Sequence, residues 1–366
     1  MSTNTSYSSD VITLLKSMIA TPSFSKEEKP VADLIEKFLQ DKKIATKRLL
    51  NNIYAINTFF DPLKGTILLN SHHDTVKPAK GYDSDPFTPI EIDGKIIGLG
   101  SNDAGGPLVS LIATFLHLHE RKDLPFNLVL TATAEEEISG NDGIELLLKD
   151  SAFREALQGS TIFGALVGEP TQMQMAIAER GLLVVDAVAI GKAGHAARQE
   201  GINAISIAVD DVEHIESFRF NKVSPLTGKT TMSVTVIETE NKAHNVVPSI
   251  CKYTIDIRVN ELYTFEEILD QLHSTLKSEL TPRSFRLKSN MISLDHPIVK
   301  AGTKLGKTYY GSPTTSDKAL MNFPALKIGP GDSARSHTAN EYIYINEIEE
   351  GIKGYIQLLE ETASFC

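Results

Sequence analysis

The chain has little cysteine, no tryptophan and no long apolar run. Cys251 and Cys366 are its only cysteines in 366 residues, too few for a disulfide framework, which favours a reducing compartment. No stretch reaches the roughly 18 consecutive apolar residues that a membrane span needs. The opening residues, MSTNTSYSSD, are polar and lack the basic-then-apolar layout of a secretion signal. We therefore expect a cytoplasmic protein without a membrane partner.

Positive charge is also scarce. Lysine and arginine number 36 against 47 aspartates and glutamates, giving a formal net charge of −11. This balance, with no long basic run, argues against nucleic acid as a partner. The 41% hydrophobic content supports a sizeable core, and the length favours two domains. These bounds fit an enzyme that acts on small molecules.

Short apolar runs alternate with helical patterns in the first half of the chain. Residues 10–42 predict two amphipathic helices, and Ser25 three residues before Glu28 predicts a capping box between them. The next predicted elements are strands at 66–70, 127–134 and 162–168, with a helix at 105–120. Strand–helix–strand alternation predicts an α/β domain with a largely parallel sheet.

The pattern changes near residue 180 and returns near residue 296. The predicted elements between these points are a strand at 182–191, a helix at 202–217, strands at 231–237 and 250–258, a helix at 264–280 and a strand at 284–290. Their β-α-β-β-α-β order matches a ferredoxin-like unit. We therefore predict a small domain over residues 179–292, inserted into a larger one formed by residues 1–178 and 293–366.

Five polar clusters belong to the larger domain: four lie where its predicted strands end, and the fifth belongs to its last segment. They are SHHDTV (71–76), GLGSNDAGG (98–106), AEEEISG (134–140), GEPT (168–171) and GPGDSARSHTANE (329–341). In open α/β sheets the ligand crevice lies beyond the carboxyl ends of the strands. Clusters that are distant in sequence are therefore expected to converge on one site.

Each cluster taken singly also has a simpler interpretation. Asp103 before a helix is a common N-cap, a run of three glutamates is often a charged turn, and a lone histidine is usually not a ligand. Together, however, His, Asp, Glu, Glu and His suit a mixed nitrogen and oxygen site for two metals. Such ligands favour zinc, with cobalt or manganese as alternatives, because no thiolate is present to select a softer metal.

In these motifs the sequence resembles the di-zinc aminoacylase, carboxypeptidase and deacylase family, of the acetylornithine deacetylase and succinyl-diaminopimelate desuccinylase type. The resemblance is closest to acetylornithine deacetylase and covers nearly the whole chain. The motifs that carry it are His72-His73-Asp74, Asp103-Ala104-Gly105-Gly106, Glu135-Glu136-Glu137, Gly168-Glu169-Pro170, and Gly329-Pro330-Gly331 with His337. It implies a zinc-peptidase-like catalytic domain with a mostly parallel sheet, and a ferredoxin-like lid and dimerisation domain.

The resemblance also implies a role for each of these polar residues. Asp103 would bridge the two metals, His72 and Glu169 would complete one metal site, and Glu137 and His337 the other. Glu136 would be the general base that takes a proton from water activated by the metals and later delivers it to the departing amine. The implied reaction is amide hydrolysis through a tetrahedral intermediate.

The doubled histidine is resolved by the period of an extended chain together with the family resemblance. Positions two apart share a face, so His72 and Asp74 point together and His73 points away. We therefore predict that His72 is the ligand and that Asp74 accepts the proton of its other ring nitrogen, which fixes the tautomer. His73 is predicted to be a packing or surface residue.

The segment GKAGHAAR (191–198) resembles a family motif of the lid. By that resemblance His195 stabilises the oxyanion, in many members within the active site of the partner subunit of a homodimer. Asn245 in NVVPS and Arg258 in DIR match family positions that hold substrate. The alternatives are a turn histidine for His195, a strand-end residue for Asn245 and a surface residue for Arg258.

Arg335 in SARSH is a further candidate for binding a substrate carboxylate. Many relatives carry Ser-Asp-Gly-Arg upstream, whereas this chain has TTSDKAL, so Lys318 and Ala319 replace that pair. The expected function is removal of the N-acyl group from an N-acylated amino acid, N-acetylornithine or N-acetylcitrulline or the N-succinyl analogue, in arginine biosynthesis. Desuccinylation of succinyl-diaminopimelate, a dipeptidase or carboxypeptidase activity, and a non-catalytic binding protein are the alternatives.

Overall fold

The structure is a computed structural model that describes residues 7–198 and 200–366. The first six residues of MSTNTSYSSD, the segment that lacks the layout of a secretion signal, lie outside this range. The chain divides into two compact units. The first contains Met1–Ile177, Ile292–Tyr310 and Ser316–Cys366, and the second contains Ala178–Met291 and Gly311–Thr315. Within the described residues, every helix is too short or too polar to cross a membrane.

The elements are numbered here in chain order. The α-helices of the described chain are α1 (Ser8–Ile19), α2 (Lys29–Asp41), α3 (Gly106–Leu118), α4 (Ile144–Lys149), α5 (Ser151–Ala156), α6 (Ala204–Ser217), α7 (Phe265–His273), α8 (Pro297–Lys304) and α9 (Ile345–Thr362). The β-strands are β1 (Thr46–Leu49), β2 (Asn52–Ile56), β3 (Thr66–His72), β4 (Ile90–Ile92), β5 (Lys95–Ile97), β6 (Asn127–Thr133), β7 (Ile162–Val167), β8 (Met175–Glu179), β9 (Gly181–Ile190), β10 (Gly194–His195), β11 (Val223–Ser224), β12 (Gly228–Lys229), β13 (Thr231–Glu238), β14 (Val246–Val247), β15 (Ile250–Val259), β16 (Glu279–Pro282), β17 (Asn290–Met291), β18 (Tyr309–Ser312), β19 (Ala325–Lys327) and β20 (Tyr342–Tyr344).

The first unit is built on a mixed sheet in the order β1-β2-β6-β3-β7-β19-β8. Its four central strands, β6, β3, β7 and β19, run parallel, and the strands on either side of them are antiparallel. β3 and β6 are buried along their whole length, which is why their sequences read as continuous apolar runs rather than alternating ones. The predicted α/β class is confirmed, and the parallel strands bring their carboxyl ends to one edge.

The second unit has a four-stranded antiparallel sheet in the order β13-β15-β9-β16, with α6 and α7 in the β-α-β-β-α-β sequence of a ferredoxin-like unit. Its last two elements differ from the prediction, because α7 ends at His273 and the fourth strand is Glu279–Pro282. Leu272, Leu276 and Leu280 are spaced by four and imitate a continuing helix. All three are buried in one core, the last two from a turn and a strand.

Candidate metal centre

The ends of the parallel strands carry most of the predicted ligands. His72 is the last residue of β3, Glu136 and Glu137 follow β6, and Glu169 comes two residues after β7. His337 arrives on the segment after β19. Asp103 lies in a single π-helical turn, Ser101–Gly105, which opens α3 and in which Asp103 itself has non-helical dihedral angles. The fold therefore gathers these six side chains into one cluster.

In its neutral form, His72 presents an unprotonated nitrogen to this cluster. Its Nδ1 lies 3.0 Å from the carbonyl oxygen of Asp74, and a carbonyl only accepts, so Nδ1 carries the proton in the neutral ring. Its Nε2 is buried and has no hydrogen-bond partner among the described residues. Nε2 lies 3.3 Å from Asp103 Oδ1 and 3.8 Å from oxygens of Glu136 and Glu169. A buried lone pair facing three carboxyl groups fits a bound cation.

Asp103 lies between the two histidines. Its Oδ1 is 3.3 Å from His72 Nε2, and its Oδ2 is 3.7 Å from His337 Nε2. His337 Nε2 in turn lies 3.0 Å from Glu137 Oε2. Ligand atoms of His72, Asp103 and Glu137 come within 4.8 Å of one another, as do those of His72, Glu136 and Glu169. One carboxylate oriented toward two nitrogen donors is the arrangement that a bridged pair of metals requires.

Burial and mutual repulsion disfavour the ionised form of several acids in the cluster. Burial raises the pKa of Glu169 to about 8. The negative charges of Asp103 and Glu137 raise it further, whereas Lys327 and His72 lower it. Burial also raises the pKa of Glu136 well above its usual range. Crowded, desolvated carboxylates of this kind bind divalent cations because the cations restore their ionised form.

The pKa values of Asp103 and His337 are shifted by the side chains next to them. Burial opposes ionisation of Asp103, yet the close approach of the His72 imidazole, with His337 further away, holds its pKa below the usual range. The hydrogen bond with Glu137 raises the pKa of His337 to about 9, although burial of the ring opposes the shift. Both effects show that the acids and the histidines are close enough to interact strongly.

Asp74 organises the glutamate loop as well as His72. Its Oδ1 accepts the backbone N–H of Glu136 and its Oδ2 that of Glu137, both at 3.1 Å. The hydroxyl of Ser25 donates to the same Oδ2 at 2.7 Å. The bond that orients His72 comes from the carbonyl of Asp74, since the carboxylate Oδ1 is further from Nδ1, at 3.4 Å.

The capping box predicted at Ser25 and Glu28 is wrong. Helix α2 begins at Lys29, and Glu28 at its N-cap position makes no side-chain capping bond. Ser25 is instead engaged by Asp74, and Glu28 accepts the backbone N–H groups of Lys26 and Glu135. The two side chains therefore bind elements of the metal centre rather than the helix end.

His73 lies apart from the acidic cluster. Its side chain is buried, and its Nε2 bonds the carbonyl oxygen of Asn51 at 2.9 Å. Burial lowers the pKa of this imidazole despite the nearby Asp74 carboxylate. The structure therefore gives the two adjacent histidines different surroundings, with His72 alone facing the carboxyl groups.

Arg335 is engaged within its own segment. Its two terminal nitrogens donate to the two carboxylate oxygens of Glu347 at 2.7 and 2.8 Å, and its guanidinium lies 4.7 Å from the ring centre of Tyr342. Glu347 occupies the fork of the guanidinium, so a substrate carboxylate would have to displace Glu347, and the role of Arg335 in binding substrate stays a prediction. Lys318, at the departure from the family pattern, is buried and donates to the carbonyl oxygen of Ile177.

Three other predicted residues, His195, Asn245 and Arg258, belong to the second unit. β10 pairs with β14 there, which places His195 opposite Val246 and brings Asn245 to the same corner, where its carbonyl accepts from Ala196 N–H. His195 is exposed, and its Nδ1 accepts the backbone N–H of Ala197 at 3.2 Å. Arg258 donates through Nε and one terminal nitrogen to Asp256.

Three buried polar residues beside the cluster were not predicted from the sequence. Glu341 accepts three backbone N–H groups of the turn that carries Asp103, and the side chain of Asn102 bonds the backbone of Asp332. Asp317 accepts from Asn70 and Thr133, each at 2.8 Å. Asn102 and Glu341 lie in two of the polar clusters, and Asp317 lies in TTSDKAL, the segment that departs from the family pattern. The available sequence signal was therefore a polar side chain inside a segment that had already been singled out.

Comparisons with known proteins agree with this architecture. The model of peptidase family M20/M25/M40 matches residues 68–361. An acetylornithine deacetylase of Proteus mirabilis is 28% identical over 97% of this chain and 90% of that protein. A succinyl-diaminopimelate desuccinylase of Cereibacter sphaeroides is 25% identical over 96% of this chain and 98% of that protein. The crystal structure of a dinuclear metal-binding peptidase of Bacillus subtilis from family M20 superposes with a TM-score of 0.74 at 14% identity, covering 96% of this chain and 97% of that one.

The fold and the cluster of histidines and carboxylates at its strand ends define an amide hydrolase of the metallopeptidase kind. The chain belongs to peptidase family M20/M25/M40, whose model spans most of its length. The resemblance found in the five motifs is therefore confirmed. The identity to individual relatives is low, so the family membership fixes the type of reaction and leaves the substrate to be proposed.

Proposed function

We propose that this protein is a cytoplasmic deacylase that removes the N-acyl group from an N-acylated amino acid. N-acetylornithine and N-acetylcitrulline are the preferred candidates, with the N-succinyl analogue as the alternative acyl form, and arginine biosynthesis as the setting. The single observation that carries the proposal is the buried Nε2 of His72, which has no hydrogen-bond partner among the described residues and faces three carboxyl groups.

Two divalent metal ions are proposed as cofactors, with zinc preferred over cobalt and manganese. His72, Asp103 and Glu169 would hold one ion, and Asp103, Glu137 and His337 the other. The donor set of two imidazoles and three carboxylates suits zinc, and both oxygens of Asp103 face a histidine nitrogen. When bound, such ions polarise the amide carbonyl and lower the pKa of water toward neutrality.

Glu136 is proposed as the general base. Of the pair Glu136 and Glu137, it is the acid that the ligand assignment leaves unused, and its Oε2 lies 3.8 Å from His72 Nε2. Burial raises its pKa well above the usual range, which is the direction expected for a carboxyl group that carries a proton during catalysis. Glu136 would take one proton from water as the new C–O bond forms. It would return that proton to the amine nitrogen as the C–N bond breaks.

His195 is proposed to stabilise the oxyanion, acting across subunits of a homodimer. The Ala197 N–H donates to Nδ1, which therefore has no proton, so a neutral ring carries its proton on Nε2. A neutral imidazole with an exposed Nε2–H is a suitable donor to a developing negative charge. Asn245, at the same corner of the second unit, and Arg258 are proposed to hold the substrate.

A peptidase activity is the runner-up, because the same metals and base would serve a dipeptide or a carboxypeptidase substrate. Either kind of substrate carries a carboxylate that the enzyme would bind, and the replacement of the family's Gly-Arg pair by Lys318 and Ala319 affects which cation can bind it. Lys318 is buried and bonds a backbone carbonyl, so within the first unit it does not serve as the substrate-carboxylate contact. Arg335 and Arg258 are the proposed cations for that role.

A substrate panel on metal-reconstituted protein tests the proposal. N-acetylornithine, N-acetylcitrulline and their N-succinyl analogues would be assayed beside N-succinyl-diaminopimelate and a set of dipeptides, with release of free amine as the readout. We expect the highest kcat/KM for an N-acetyl substrate. A preference for dipeptides would indicate that the protein is a peptidase and not a deacylase. Absence of turnover on every substrate, with zinc or cobalt added, would favour a binding protein on this fold.

A further inference from the structure

Glu341 is buried, yet it is neither a predicted ligand nor the base. We propose that it is a positioning residue that sets the geometry of Asp103 between the two metals. The inference rests on the proposed metal site. It assigns to Glu341 a role that acts through the backbone of the neighbouring turn and needs no contact with substrate or metal.

The carboxylate of Glu341 is enclosed by backbone donors. Its Oε2 accepts the N–H of Gly100 at 3.0 Å, and its Oε1 accepts the N–H groups of Asn102 and Asp103, both at 2.8 Å. Only 1% of the residue is exposed. All three partners are donors, so the site requires an acceptor on both oxygens, and a carboxylate supplies this where an amide would not.

The turn is a single π-helical turn, closed by backbone bonds from Gly105 N–H to the Gly100 carbonyl and from Gly106 N–H to the Ser101 carbonyl, and neither of these bonds is made by Asp103. Asp103 has φ −116° and ψ 102°, and Gly100 has φ +74°. The backbone from Gly100 to Asp103 therefore folds around the Glu341 carboxylate rather than along a continuing helix. Within this turn the backbone N–H of Asp103 donates to Glu341, which is how the carboxylate would set the position of Asp103.

A second link ties the same turn to the segment that carries His337. The side-chain oxygen of Asn102 accepts the N–H of Asp332 at 3.0 Å, and its amide donates to the carbonyl of Asp332 at 3.0 Å. Glu341 lies four residues after His337 on this segment. One stretch of chain thus fixes both the bridging carboxylate and one of the two histidines that face it.

Loss of the Glu341 carboxylate would affect metal binding through the distances between Asp103 and the two histidines. Asp103 reaches one histidine with each oxygen, so a shift of its turn would lengthen one contact or both. Residues that orient metal ligands typically change metal affinity by about 10–100-fold when they are replaced. We therefore expect loss of Glu341 to weaken the more loosely held of the two ions by that factor.

Glu341→Gln tests this with Asp211→Asn as a matched control. Asp211 is also buried, at 2% exposed, and its carboxylate accepts the N–H groups of Lys277 and Ser278, but it belongs to the second unit. Both variants are expected to unfold at a lower temperature than the wild type. Only Glu341→Gln is expected to bind the second cobalt(II) ion about 10–100-fold more weakly in a competition titration with a chelator, and to change the visible spectrum of the cobalt-loaded protein.

Each result decides the inference. A folded Glu341→Gln that binds two ions with wild-type affinity and an unchanged spectrum would overturn it. If that variant does not fold, Glu341→Asp keeps the charge with a shorter reach. Intermediate affinity would then support the inference, and wild-type affinity would overturn it. A wild-type protein that binds fewer than two ions would overturn the metal site itself, which is a separate result read from the wild type alone.

Discussion

At the scale of single residues, the glutamate loop shows how neighbours acquire different roles. The backbone N–H groups of Glu136 and Glu137 both bind Asp74, one to each carboxylate oxygen. Their side chains then diverge, because Glu137 meets His337 at 3.0 Å while Glu136 lies 3.8 Å from His72. One fixed stretch of backbone can therefore supply a metal ligand and a proton carrier side by side.

Replacement of Glu136 by glutamine is expected to abolish proton transfer and spare the metals. General acid–base catalysis contributes about 10²–10⁴-fold, so kcat should fall by that factor with two ions still bound. Turnover and metal content per chain would be measured together. Glu135→Gln is the control, since Glu135 precedes the pair and its side chain accepts from the Asp142 N–H instead. Near-normal kcat in Glu136→Gln would remove Glu136 as the base.

Asp317 gives a prediction about pH. Burial raises its pKa to about 6, against the opposing hydrogen bonds from Asn70 and Thr133. The folded state therefore holds the proton more tightly than the unfolded chain, where the pKa is about 4. The stability that this adds is complete below pH 4 and is lost as the pH rises through about 6. Asp317→Asn accepts the same two hydrogen bonds without ionising.

In metal-free protein, melting temperature measured from pH 5 to pH 7 should fall less steeply for Asp317→Asn than for the wild type. Asp41→Asn, which removes the same charge from an exposed helix position, is the control and should keep the wild-type slope. Parallel slopes for all three proteins would show that Asp317 does not titrate in this window.

At the scale of elements, apolar patterning and polar contacts differ in how far they can be predicted. β3 and β6 are recognisable because buried central strands are continuous apolar runs, and the ligands follow at their ends. Ser25, Asn102 and Glu341 leave no such pattern, because each binds a backbone or a side chain distant in sequence. The α7 end was missed for another reason, since Leu276 and Leu280 keep helical spacing outside any helix.

The turn before α3 gives a prediction with a close internal control. Gly100 and Gly94 have nearly the same left-handed φ, +74° and +73°, but a Cβ on Gly100 would lie 2.6 Å from Thr75 Cγ2, whereas nothing lies within 4 Å at Gly94. Alanine at either position should cost about 1–2 kcal/mol from the backbone conformation alone.

Gly100→Ala should lose more stability than Gly94→Ala in urea unfolding, because the methyl group must also displace Thr75. It should in addition weaken cobalt(II) binding, since its turn carries Asp103. Equal losses of stability, with metal affinity unchanged in both variants, would show that the turn accommodates the methyl group without moving the ligand.

At the scale of the whole molecule, the second unit presents an unpaired edge. β13 is the outermost strand of the order β13-β15-β9-β16, and its Val236 and Ile237 are half exposed, as is Val209 on α6. Exposed apolar edge strands pair with other chains unless something blocks them. A second copy that pairs along β13 would extend the sheet and cover these side chains, which supports the proposed homodimer through this unit.

Ile237→Lys is expected to convert the proposed dimer to a monomer, because a charged side chain on an edge strand blocks pairing with another edge. Light scattering coupled to size-exclusion chromatography would give the mass. Leu63→Lys is the control, since Leu63 is 94% exposed in the first unit and its change should leave the mass at the wild-type value. If His195 acts across subunits, monomeric Ile237→Lys should bind two metal ions and lose turnover. A monomeric wild type, or a monomeric variant with full activity, would place every residue of the reaction within one chain.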